Sequence, residues 1–136
     1  MGREALWIAL ERSKGIGPVG LQEIQASLSA LKLDVQDLLG LSENEIRTEF
    51  GFSERLCAGI AEAPAIAEEI EDDCVDMAQA GIRPVFIFES AYPAALKSRL
   101  GSAAPAMLYC LGNIRLLQQK SVAILGHGEP SPRGEM

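Results

Sequence analysis

The sequence predicts a helical part followed by a mixed α/β part, with the change near Gly81. Up to residue 80, apolar residues recur at helical spacing between capping and stop signals, whereas three apolar runs of strand length follow Gly81. Charge changes at the same place. Residues 1–80 hold six Lys/Arg against sixteen Asp/Glu, and residues 81–136 hold six against three, so a part at −10 adjoins one at +3 within a chain at −7. At 136 residues and 48% hydrophobic, the chain can bury a core and is too apolar to be disordered throughout.

The opening helix carries Leu6, Ile8, Ala9 and Leu10 and ends near Ser13-Lys14. Gly15-Ile16-Gly17-Pro18 is a tight connection, because glycine accepts positive φ and proline suits the first turn of the next helix. Leu21, Ile24 and Leu28 mark that second helix, and Asp34 caps a short helix over 35–39 that stops at Gly40. Ser42-Glu43-Asn44-Glu45 has the spacing of a capping box. Ser53 caps a helix through Leu56 and Ile60, which Pro64 is expected to break or restart, and a further helix runs to Ala80 with Gly81 as its stop.

The runs expected as strands of one small sheet are residues 84–88, 107–111 and 121–125, with one or two helical turns over 94–100 after Tyr92-Pro93. The third run leads into Gly126-His127-Gly128. A strand and glycine-bearing loop of this kind normally feed a helix that returns to a parallel strand, and here eleven residues follow Leu125. Three short strands with one helix cannot cover both faces of a parallel sheet, so the plan reads as part of a longer fold or as one that a partner covers.

Two segments offer chemistry. Gly15-Ile16-Gly17-Pro18 has the form of a helix-hairpin-helix turn, whose backbone N–H groups can face a DNA phosphate. Within a part at −10, with Lys14 alone beside it, a packing turn is the favoured reading. The segment Gly126, His127, Gly128, Ser131, Gly134 loosely fits GxGxxG with serine at the third glycine position; its N–H groups and the Ser131 hydroxyl could hold an anion, or it is a tail after the last strand.

Other features have blander readings. His127 is the single histidine and is expected to be an exposed loop residue. The acidic run Glu68, Glu69, Glu71, Asp72, Asp73, Asp76 lacks calcium-loop glycines and reads as a solvated helix face, so no metal or other cofactor is expected. Trp7 is expected to be packing material. No apolar run approaches the ~20 residues of a membrane span, the N-terminus makes a poor secretion signal, and Cys57, Cys74 and Cys110 form no CxxC pair. These read as reduced, buried thiols of a cytoplasmic protein.

The order of motifs resembles the N-terminal half of the DNA-processing protein A (DprA/Smf) family. The matching residues are Gly15-Ile16-Gly17-Pro18, Ala80-Gly81-Ile82, Tyr92-Pro93-Ala94-Ala95-Leu96 and Pro105-Ala106-Met107-Leu108-Tyr109, then Gly112-Asn113 and Ser121-Val122-Ala123-Ile124-Leu125-Gly126. The resemblance implies a SAM-like, helix-hairpin-helix domain over 1–80 and a truncated start of a Rossmann-like domain over 81–136. It also implies a non-catalytic role: binding single-stranded DNA and loading a RecA-type recombinase in natural transformation. The family's phosphate loop continues with Gly-Ser-Arg, then Ser or Thr and Tyr-Gly. By that pattern Gly126, His127, Gly128, Ser131, Arg133 and Gly134 are the phosphate-binding positions, with Gly128 where the family has arginine. Losing that arginine removes the strongest anion contact of the loop, so DNA binding is expected to be weak. The family's dimer surface lies beyond these residues, so no oligomer is expected. Two other readings stay open. One is an acidic helical interaction module with a vestigial α/β tail, and the other is a fragment of a nucleotide-binding enzyme.

Overall fold

The computed structural model of the chain describes residues 2–119. Helices come first: α1 (Arg3–Arg12), α2 (Gly17–Ala30), a 3-10 turn (Val35–Leu38), α3 (Glu43–Phe50) and α4 (Glu54–Gln79). Then follow β1 (Ile82–Phe86), α5 (Ala94–Leu100), a 3-10 turn (Gly101–Ala103), β2 (Met107–Leu111) and a last 3-10 turn (Ile114–Gln118). The architecture is therefore helical and then α/β, as the patterning predicts.

Helix α1 lies at the centre of the helical part. All six residues from Ala5 to Leu10 are buried, so the helix is enclosed on every side rather than along one stripe. It packs chiefly along α4. The connection between α1 and α2 is a packing device. Gly15 and Gly17 take φ of 84° and 60°, and Ile16, 4% exposed, turns inward. A Cβ at Gly59 on α4 would stand 2.8 Å from Ile16 Cγ1, and one at Gly20 would stand 3.2 Å from Ile16 Cγ2. The two glycines leave the room that Ile16 fills.

The caps fall where expected, with one exchange of geometry. Ser53 Oγ accepts from the Leu56 N–H at 3.3 Å, and Ser42 Oγ accepts from the Glu45 N–H at 3.2 Å. Glu45 does not complete that box: its carboxylate accepts a hydrogen bond from the Ser42 hydroxyl at 3.3 Å instead. The reciprocal arrangement occurs at Asp34, whose N–H donates to the Asp37 carboxylate at 2.7 Å while its own carboxylate caps the turn.

Pro64 neither breaks nor restarts its helix. Helix α4 runs 26 residues through it, about 39 Å at 1.5 Å per residue. Proline removes one backbone hydrogen bond and costs about 3 kcal/mol in a helix interior. Burial of Ile60, Ala63, Ala67 and Ile70 on either side of Pro64 offsets that cost by holding both halves against the core.

The first strand occupies 82–86 rather than 84–88. Ile82 pairs with Leu111, while beyond Phe86 the chain turns: the Glu89 N–H donates to the Phe86 carbonyl at 2.9 Å. The second strand has the expected limits. The two pair antiparallel, from Ile82↔Leu111 to Phe86↔Met107, so among the described residues the sheet is not the parallel one anticipated. Their 20-residue connection (87–106) contains α5 but reverses direction instead of crossing over. The third run, 121–125, lies outside the described residues.

Register assigns the sheet's two faces. Ile82, Pro84 and Phe86 with Leu111, Tyr109 and Met107 form one. Phe86 and Met107 join the main core there, and Trp7 packs on Phe88 at 4.6 Å and on Phe86 at 6.2 Å. Val85 and Leu108 on the other face join a smaller cluster with Ile87, Tyr92 and Ala104. Trp7 is thus packing material, as expected, and it joins α1 to the sheet.

Candidate nucleic-acid interface

The residues assigned to phosphate binding, Gly126, His127, Gly128, Ser131, Arg133 and Gly134, lie outside the described residues, as does Lys120. What the structure describes is the approach to them. After β2, Gly112 turns with φ of 100°, and Asn113 caps the last 3-10 turn by accepting the Arg115 N–H at 3.1 Å. Gln118, at the end of that turn, reaches back to the turn after β1. Its amide nitrogen donates to the carbonyls of Ala91 at 3.0 Å and Tyr92 at 3.1 Å, with Ser90 at 3.5 Å.

The turn that receives Gln118 is itself well anchored. Tyr92, 3% exposed, donates its hydroxyl to the Pro105 carbonyl at 2.7 Å, and burial pushes its phenol pKa upward. Glu89 accepts the Phe86 N–H at 2.7 Å and pairs with Arg83 at 3.7 Å. The Ile87 N–H donates to the Ala106 carbonyl at 2.9 Å, which extends the strand contact by one bond.

Between Gly81 and Gln119 there are four Lys/Arg (Arg83, Lys97, Arg99, Arg115) and one carboxylate, Glu89. Arg83 is engaged by Glu89, and Lys97 reaches the Ile87 carbonyl at 3.5 Å. Arg99 and Arg115 are exposed and have no acidic partner among the described residues. Such a surface tolerates a polyanion, since phosphate neutralisation supplies most sequence-independent affinity.

The helical part presents the opposite face. Glu68, Glu69, Glu71, Asp72, Asp73 and Asp76 are all exposed along α4, as a solvated face requires. At the hairpin, Arg55 lays its aliphatic stem on Gly15. The cysteines depart from expectation, because Cys57 is buried while Cys74 and Cys110 are half-buried. The half-buried pair sit where coverage is partial: Cys74 beyond the buried stretch of α4, and Cys110 towards the open end of β2. Burial raises the Cys74 pKa, with Arg12 working against it, which keeps the thiol protonated and poorly nucleophilic.

Two features were missed in the sequence. Asn113 before an apolar pair is a cap signal that could have marked the turn at Ile114–Gln118. Gln118 gave no local sign, because its partners lie 26 to 28 residues away. No helix among the described residues is long and apolar enough to cross a membrane.

Comparison with known proteins bears on this same region. The family model described as DNA recombination-mediator protein A matches residues 83–136. Searches of curated proteins and of solved structures give no match. The matched residues start inside β1 and take in the Tyr92 turn, α5, β2 and the Gln118 turn. Over this segment the chain is similar to the DNA-processing protein A family, the same family whose order of motifs its sequence resembles.

Proposed function

We propose that the chain is a non-enzymatic DNA-processing protein that binds single-stranded DNA through residues 81–136, with residues 1–80 as a separate SAM-like packing or partner-binding domain. The observation that carries this reading is the family match over 83–136, which falls on the part of the chain with excess positive charge. The phosphate contact is assigned to the backbone amides of Gly126, His127 and Gly128, the Ser131 hydroxyl, and the charges of Arg133 and Lys120. Gly134 supplies the last glycine of the loop. A RecA-type recombinase is the partner the family role supplies, and a cytoplasmic location goes with it. A helical part at −10 opposes a phosphate backbone at contact distance, where screening over about 8 Å is incomplete. Its exposed acidic face on α4 suits a basic protein surface instead.

The test is affinity for a short single-stranded oligonucleotide at two salt concentrations, for the parent chain and for Gly128→Arg. The parent is expected to bind weakly and to lose affinity as salt rises. Gly128→Arg should tighten binding by roughly tenfold or more, since a charged hydrogen bond contributes about 1.5–3 kcal/mol. If neither protein binds at low salt, the reading fails. A thermal shift with nucleotides in place of DNA would favour an enzyme fragment.

A further inference from the structure

The last described turn makes a long return. Leu111 ends β2 opposite Ile82, while the turn after β1 lies at the other end of the sheet, where Phe86 pairs with Met107. The two ends of β2 are about 13 Å apart at 3.3 Å per residue. Within seven residues of Leu111 the chain has covered that distance, because Gln118 is bonded to the carbonyls of Ala91 and Tyr92. The chain therefore leaves the described fold beside the end at which β2 begins.

Among the described residues, no other side chain of the Ile114–Gln118 turn hydrogen-bonds to the turn after β1. Leu116 and Leu117 are 58% and 38% exposed, so apolar packing holds this segment poorly. The chemistry of the contact is also particular. Three successive carbonyls converge on one nitrogen, a surface that accepts donors only, and an amide offers two N–H groups. A carboxylate of the same length would be repelled. An ammonium, with three donors, would fit.

The geometry points to Gln118 as a positioning residue: a latch that fixes where the chain leaves the described sheet, ahead of residues 126–134 in the sequence. Its effect on DNA rests on the function proposed above, whereas the latch itself does not. Both can be read in the full chain with Gln118→Glu, Gln118→Lys and, as charge-matched neighbours, Gln119→Glu and Gln119→Lys. Hydrogen exchange is followed at the amides of Leu116 and Gln119, which close the 3-10 turn, and at Tyr92. Gln118→Glu should speed exchange at these amides by at least fivefold, and Gln118→Lys should restore parental rates. Both Gln119 variants should leave them unchanged. Equal exchange in all five proteins overturns the latch. For DNA, Gln118→Glu should lower affinity several-fold more than Gln119→Glu, although the charge change is the same. An equal loss in both overturns the link to the loop. Undetectable binding by the parent overturns the proposed function, with the exchange result still deciding the latch.

Discussion

Residues 3–80 and residues 82–119 bury their apolar groups in different ways. In the helical part, α1 is enclosed and α2, α3 and α4 each turn a buried face towards it or one another, with Leu21, Ile24, Ile46 and Ile60 at 2% exposure or less. In the sheet part, two five-residue strands share a small cluster on one face and borrow Trp7 on the other. Tyr109 and Leu111 are left 47% and 75% exposed. The helical part buries most of its large apolar residues and leaves Val19, Leu31, Leu33 and Val75 exposed singly, whereas the described sheet leaves Tyr109 and Leu111 exposed together on one strand. Packing therefore accounts for most of the buried apolar residues of the first region.

The largest expected effect breaks the seam between the regions. Trp7→Ala should destabilise the protein by about 3–5 kcal/mol, the usual cost of removing a buried large aromatic. The loss should fall unevenly. Hydrogen exchange should accelerate more in β1, which loses the contacts to Phe86 and Phe88, than in α2. Ile24→Ala, a fully buried site in α2, should show the reverse order. If Trp7→Ala leaves β1 no less protected than Ile24→Ala does, the sheet does not depend on the helical part.

That seam also shows what the sequence could and could not say. The helical elements were legible because their signals are local: Ser53 three residues before Leu56, Asp34 before Val35, Gly81 after Ala80. Strand β2 was legible for the same reason, as an apolar run ended by Gly112. The Pro64 expectation failed because a breaker is also a local signal, while what overrides it is burial of Ile60 and Ala67 in a core assembled from distant residues. The start of β1 was misplaced because Ile82 is a strand residue only through its pairing with Leu111, 29 positions away. The same limit applies to the site. Its loop motif was read from neighbours in the chain, whereas the last described turn before it is tied down by the bond from Gln118 to the Tyr92 carbonyl, across 26 residues.

A smaller effect sharpens the contrast from within the sheet part. Tyr92→Phe should cost about 1–2 kcal/mol, because the Pro105 carbonyl loses its donor in a largely buried place. It should also change the alkaline limb of stability. With its folded pKa raised above the ordinary 10.0, the phenol stays protonated in the folded chain where the unfolded chain has begun to ionise. The folded state then binds more protons, so stability falls as pH rises. Its contribution is complete below pH 10 and is lost as pH climbs through the folded value. Denaturant unfolding at pH 8 and above pH 10 should show a steeper decline for the parent than for Tyr92→Phe. Parallel declines would mean that Tyr92 titrates alike in both states.

The smallest effects compare one ion pair from each region. Arg3 meets Asp34 at 3.0 Å in the helical part, with 66% of the arginine side chain exposed. Arg83 meets Glu89 at 3.7 Å in the sheet part. Distance alone would rank the first as the stronger. Exposed pairs contribute about 0–1 kcal/mol and are screened by salt, so Arg3→Ala should cost under about 0.5 kcal/mol and nothing measurable in high salt. Glu89 has a second task, since its other oxygen accepts the Phe86 N–H at 2.7 Å. Glu89→Ala leaves that donor without its partner at the end of β1, and should cost about 1 kcal/mol at any salt concentration. Arg83→Ala removes only the weaker contact and should resemble Arg3→Ala. Unfolding of the three variants in low and high salt separates these contributions. If Glu89→Ala and Arg83→Ala cost the same, and both effects vanish in salt, the backbone bond from Phe86 contributes nothing, and the turn after β1 is held by Tyr92 and Gln118.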